Sequence, residues 1–345
     1  MQTGELVSTT LNLRVGDRVE VRNPEEILAT LDENGTLDAM PFMPEMLHYC
    51  GRQFTVGKVA HKTCDTISGT GIRRMDNAVH LTGVRCNGRD HDGCQAACLI
   101  YWKTAWLKKV EPVIGSDGVI EDTGPTARGV EAPGADRLLP LLVIGSRRPP
   151  AEDGATVYAC QATELVRATP QRLPYRQMSQ YVQDVRSGNA GIWWVLRAFL
   201  VGIFNRAQDH STRRLPPRLW FRGGLRWGFL KGTATKTPTR HVGLQPGDLV
   251  RVRSKAEIVA TLDANLKNRG MGFDAEMARF CGKTARVLRR VDNIVDERTG
   301  RMLVMKNPCI VLDGVVCEGA YNASCPRAIT SYWREIWLER IEEPG

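Results

Sequence analysis

The ten cysteines and six histidines of this 345-residue chain are unevenly placed. His61, Cys64, His80, Cys86, His91, Cys94 and Cys98 fall within one short stretch. The spacing is His61-x2-Cys64, then Cys86, then His91-x2-Cys94-x3-Cys98. Zinc takes four thiolate, imidazole or carboxylate ligands in a tetrahedron, often supplied as close pairs. An iron–sulfur cluster takes four thiolates with looser spacing. The stretch is therefore expected to bind zinc or an iron–sulfur cluster through Cys64, Cys86, Cys94, Cys98, His61 and His91. Cys64, Cys86, Cys94 and Cys98 alone form a four-thiolate set. Asn87, Gly88, Asp90, Asp92 and Gly93 let the intervening chain bend around an ion. The pattern is not two C-x2-C pairs, so two alternatives stay open. The thiols are buried apolar residues, which suits Cys50 and Cys281 best, or Cys64 or Cys98 is a nucleophile activated by a nearby His.

A second segment sharpens this expectation. Residue i matches residue i+231 without a gap. Gly16-Asp17 falls on Gly247-Asp248, Ala29–Asp32 on Ala260–Asp263, Glu45-Met46 on Glu276-Met277, and Cys50-Gly51 on Cys281-Gly282. Cys86 and Cys94 fall on Cys317 and Cys325, and Tyr101-Trp102 and Trp106-Leu107 on Tyr332-Trp333 and Trp337-Leu338. A register held over about a hundred residues implies duplication. The second copy has lost most of the chemistry: Asp292, Val295, Val311, Asn322 and Ile329 replace His61, Cys64, His80, His91 and Cys98. A second site through Cys309, Cys317 and Cys325 is a weaker expectation, because no His supports it. Cys160 could complete the first site from outside its repeat, but reads more simply as a buried thiol. Glu45 and Asp65 recur in both copies and are expected to be structural, as are the paired tryptophans.

The elements that must position these residues follow from periodicity. Arg18–Arg22 alternates as a strand after a Gly-Asp turn. Pro24–Leu31 is expected to be helical, with Pro at its start, and Pro44–Tyr49 to be a second short helix ending at Gly51. Phe54–Val59, Val79–Arg85 and Trp106–Val110 are expected strands. A Gly-Asp turn opening a short strand, and a last strand ending Trp-Leu-Lys-Lys, resemble the SH3-like small barrels of the KOW type. That resemblance implies a fold and no particular function. The expected class is mainly β with an α insert (α+β): SH3-like repeats at 10–111 and 241–342, joined by a partly helical basic insert at 112–240.

Within the insert, 112–156 reads as a Gly/Pro-rich linker, with a packed apolar run at Leu138–Ile144. Residues 157–186 read as helical pieces broken by Pro170 and Pro174, and Gly191–Phe204 as an apolar helix. Residues 197–240 carry ten cations and one acid, so they account for the whole net charge of +9. Arg206, Arg213, Arg214, Arg218, Arg222 and Arg226 lie among Trp220, Phe221, Trp227 and Phe229. Such interleaving suits an anionic membrane surface or nucleic acid; packing against the repeats is the plainer alternative. Met1–Leu13 has no signal-peptide pattern, and no apolar run reaches the ~20 residues of a span. The expected location is cytoplasmic or peripheral at a membrane. No phosphate loop, nucleophile elbow or H-E-x-x-H occurs. The favoured function is an accessory or binding metalloprotein that docks a protein partner. A metal- or thiol-dependent enzyme using the same centre is the runner-up, and an adaptor acting through residues 197–240 is third.

Overall fold

A computed structural model describes residues 11–110, 133–307 and 309–342. The chain divides into two compact units, Met1–Gly191 with Val295–Met302, and Ile192–Ile294 with Leu303–Gly345. The insert is thus no separate body: its first part belongs with one unit and its last part with the other. The class is α+β, with several small sheets and a smaller set of helices.

The first unit is built on a five-stranded sheet. Its spatial order is Trp102–Lys103, Ala78–Leu81, Gln53–Val59, Arg18–Val21, Leu107–Lys109. Neighbouring strands are antiparallel, with Arg18 opposite Thr55 and Val19 opposite Lys109. Val19 and Val21 alternate inward and are fully buried, as period-two patterning requires. The core also takes Ile27, Phe42, Met46, Val56, Val79, Trp102 and Trp106. Phe42 meets Trp106 edge-on at 5.1 Å, and the Trp106 indole donates to Thr30 Oγ1 at 3.1 Å, which leaves that N–H satisfied in an apolar setting.

The second unit repeats this arrangement 231 residues later. Its sheet runs Trp333–Arg334, Cys309–Leu312, Thr284–Arg290, Leu249–Val252, Leu338–Arg340. Leu249 faces Arg286 and Val250 faces Arg340, the same partners at the same offset. Trp337 donates to Thr261 Oγ1 at 2.9 Å. Each unit also opens a short helix with a reciprocal cap, Asn23 with Glu26 and Ser254 with Glu257. Such a box satisfies two backbone N–H groups that a helix start leaves bare.

Several expected elements are shorter than the sequence implies. The first helix ends at Leu28, because the Asp32 carboxylate gathers Asn34 N and Thr36 N into a turn. The strand expected over Val79–Arg85 stops at Leu81, before Gly83 at φ +73°. The segment expected as a linker at 112–156 falls partly outside the described residues. Beyond that gap it contains the helix Ala135–Gly145. Leu138 and Leu142 of this helix are buried in the first unit's core, so apolar seating outweighs the Pro140 within it. Short helices at Leu165–Ala168 and Ser179–Arg186 follow the expected breaks. The apolar helix is longer than expected, Ile192–Arg214, and absorbs the start of the basic stretch.

Candidate metal centre

The loop between Ala78–Leu81 and Trp102–Lys103 carries Cys86, His91, Cys94 and Cys98. Its shape is set by the backbone. Arg85 bridges Leu99, and Cys86 N donates to Cys98 O at 2.9 Å, closing the loop at its base. At its tip, His91 N and Gly93 N both donate to Gly88 O, at 3.0 and 2.9 Å. Gly88 has φ +68°, and a Cβ there would lie 1.9 Å from Cys94 O. Only glycine meets both demands. The matching loop in the second unit repeats each bond: Cys317 N to Ile329 O, and Asn322 N and Ser324 N to Gly319 O. The loop therefore keeps its form whether or not ligands are present.

This loop brings Cys86 and His91 onto Glu45, at the start of the 3-10 turn Pro44–Tyr49. One ligand atom from each lies within 4.8 Å of the other two. The Cys86 thiol donates to Glu45 Oε1 at 3.0 Å, and His91 Nδ1 lies 3.7 Å from the same oxygen. His91 is 2% exposed and Glu45 6%. The other ring nitrogen of His91, Nε2, lies 3.4 Å from Ala159 O, and the ring stacks edge-on with Tyr158. Tyr158 OH in turn holds Asp92. A histidine ligand is commonly fixed by such a carbonyl on its far nitrogen.

The trio buries an acid, a thiol and an imidazole against one another. Burial pushes the Glu45 carboxyl upward, only partly opposed by His91. Burial, and next the Glu45 carboxylate, push the Cys86 thiol well above its ordinary range. Glu45 Oε2 is buried with no hydrogen-bond partner among the described residues. A divalent ion would reverse both shifts and release the protons. The donor set also fits zinc: ligand atoms at about 2.0–2.3 Å from a tetrahedral ion stand about 3.5 Å apart, close to the separations seen.

The second unit shows the same place with the acid and the thiol kept, as Glu276 and Cys317, and the histidine replaced by Asn322. Glu276 matches Glu45, but it accepts from Tyr321 N at 3.0 Å and from the Arg279 guanidinium at 3.1 Å. Arg279 stands where the first repeat has exposed His48. The buried acid is thus neutralised by the chain itself, and Asn322 replaces the histidine. Among the described residues, no second Cys/His/carboxylate group of metal-binding size occurs. Cys309 is core, with its thiol pushed by burial up to about 11.

The remaining expected ligands are dispersed around the trio. Cys98 is near enough to raise Cys86, and Cys98 and Cys94 both add to the burial that pushes Cys160 up to about 12. Cys94 Sγ accepts from Val295 N at 3.2 Å. Cys160 thus borders the loop from the insert while packing on the core. Cys64 does not join the trio; it is buried in the hairpin Lys62–Asp65/Gly71–Arg74, opposite Ile72. Nor does His61, whose Nε2 lies 3.3 Å from Asp184 Oδ1. Glu45 was expected to be structural because it recurs in both copies. The structure places it in the centre of the candidate site, and the signal that separates the two copies is the Arg279/His48 difference. Cys50 is a core thiol, pushed up to about 12 by burial. No protein-family model, curated protein or solved structure matches the chain.

Proposed function

We propose that this protein is a metal-binding protein whose first repeat holds one zinc ion through Glu45, Cys86 and His91, and acts as an accessory or binding module. The observation that carries this reading is the convergence of a buried acid, thiol and imidazole on one point, in a loop whose twin holds its acid with an arginine. A mixed O/S/N donor set favours zinc over an iron–sulfur cluster, which takes thiolates. Three protein ligands leave a fourth position, for which Cys98, close enough to raise the Cys86 thiol, is a candidate. The SH3-like reading of each repeat belongs to the same proposal. It is supported by the five-stranded antiparallel order and by the 3-10 turn that precedes each last strand. Descent from one duplicated ancestor is supported by the shared pairing register.

Metal analysis of the purified chain should find about one zinc per molecule. Cys86→Ser and His91→Ala should each lose it, and Cys281→Ser should keep it. Cobalt exchanged into the site should give a thiolate-to-cobalt absorption band that C86S lacks. Iron with sulfide would sink the zinc reading, and a metal-free, folded protein would sink the whole proposal.

A second reading concerns the helix Ile192–Arg214. Trp193, Leu196, Leu200 and Ile203 are exposed at one-turn spacing, and the following turns present Phe221 and Trp227 beside the arginines. We assign this stripe to an anionic lipid surface, on which aromatic and cationic side chains act together.

A further inference from the structure

The first unit contains a cavity of about 450 Å³, lined by Leu11–Leu13, Val59, His61, Thr104, Gln180 and neighbours, apart from the Glu45 trio. Two of its buried polar side chains keep an atom that the described protein leaves without a hydrogen bond. His61 (6% exposed) turns Nε2 to Asp184 Oδ1 at 3.3 Å and leaves Nδ1 bare, and Gln180 (2% exposed) leaves Oε1 bare. Buried polar groups are normally bonded, so these two imply something that enters the cavity.

The second unit shows what that something resembles. Val59 and Thr104 are matched there by Arg290 and Glu335. The Glu335 carboxylate accepts from the backbone N–H of Val242, Gly243 and Leu244, at 2.7, 3.2 and 3.3 Å, and from Arg290 at 2.7 Å. A carboxylate in a nest of successive N–H groups is a stable arrangement. The space left beside it is about 10 Å³. In the first unit the matching N–H groups belong to Leu11, Asn12 and Leu13, which line the open cavity. Residue 104 is threonine and has no carboxylate to give them. Among the described residues nothing else accepts from them. The turn that follows is the same in both units, with Arg14 N on Asp17 Oδ2 and Gln245 N on Asp248 Oδ2, so the nest is held in the same frame.

We propose that this cavity binds a small hydroxycarboxylate, whose carboxylate occupies the place that Glu335 fills in the second unit. The Leu11–Leu13 amides receive the carboxylate. His61 Nδ1 and Gln180 Oε1 are the acceptors left for the hydroxyl. The site is independent of the metal centre, and its loss would leave zinc content unchanged.

The test uses the full chain labelled with nitrogen-15 at leucine, with glycolate as probe and glycolamide as its neutral counterpart. Glycolate should shift the Leu11 and Leu13 amide resonances in a saturable manner, and glycolamide should not. The variant Val59→Arg/Thr104→Glu, which installs the second unit's plug, should lose the response and unfold at a higher temperature. An equal response to glycolate and glycolamide, or no response in the unaltered chain, overturns the proposal whatever the variant does. A folded double variant that still responds to glycolate overturns it as well.

Discussion

At the scale of single residues, the two repeats solve one problem in different ways. Each buries a glutamate beside the ligand loop, and a buried carboxylate needs a partner. Glu276 has Arg279 and two backbone N–H groups, of Glu318 and Tyr321; Glu45 has a thiol, an imidazole and one bare oxygen. Glu335 shows how strong such a partnership is. Burial by itself would raise its pKa, but the Val242 N–H, the Arg290 guanidinium and the Gly243 N–H together hold it below the usual carboxylate range. A group with a lowered folded pKa stabilises the fold fully above its unfolded value, about 4.3, and loses that contribution as pH falls through the folded value. Glu335→Gln, with an amide facing three N–H groups, should cost about 1–3 kcal/mol at neutral pH. It should also flatten the fall in stability below about pH 4. Urea unfolding across that range reads both effects, and an unchanged pH slope would show that Glu335 is not held as described. Cys86 and His91 were legible from the sequence because the second copy keeps one and loses the other. Glu45 was not, because its own identity is shared and what differs is its surroundings, with His48 and His91 where the second copy has Arg279 and Asn322.

At the scale of elements, the strands were legible wherever valines alternate, as at Arg18–Val21, because one face of each must be buried. Their ends were less so, since turn chemistry at Gly83 and Asp32 decides where pairing stops. The helix Ala135–Gly145 was hidden by the Gly and Pro content around it. Its place is fixed by Leu138 and Leu142 entering a core that local sequence does not reveal. The ligand loop is the element on which the site depends, and it offers an internal control. Gly88 and Gly93 both have φ near +70°, but a Cβ at Gly88 meets Cys94 O, whereas one at Gly93 meets nothing within 4 Å. Both alanine variants carry the left-handed penalty of about 1–2 kcal/mol. Only Gly88→Ala must also move the chain at Cys94, whose N–H is bonded to His91 O. Gly88→Ala should therefore lower zinc content and the melting temperature together, while Gly93→Ala lowers the melting temperature alone. Equal zinc content in the two variants would mean that the loop's tip does not shape the centre.

At the scale of the whole molecule, the basic stretch and the Glu45 trio belong to different units. The cationic excess sits within 197–240, far along the chain from the trio, and of its arginines Arg226 is paired with Asp209. No helix among the described residues is long and apolar enough to cross a membrane. Contact with lipid through this stretch would therefore be a surface contact, with Trp193 and Leu200 (79% and 55% exposed) entering the interface and the arginines meeting headgroups. Each basic residue near an anionic leaflet contributes about 1 kcal/mol, screened within a Debye length of about 8 Å at physiological salt. The chain should thus sediment with vesicles of phosphatidylserine and phosphatidylcholine, but not with phosphatidylcholine alone, and salt should weaken the association. Replacing Arg213, Arg214, Arg218 and Arg222 by Ser should abolish it, and Trp193→Ser should weaken it while leaving the salt dependence in place. Binding that survives the quadruple replacement would remove the basic stretch from the explanation. Retention on single-stranded nucleic acid without any on vesicles would turn the same aromatics from lipid anchors into base-stacking platforms. The proposed metal site gives this experiment an independent reference: if surface and site are separate devices, C86S should bind vesicles as the unaltered chain does.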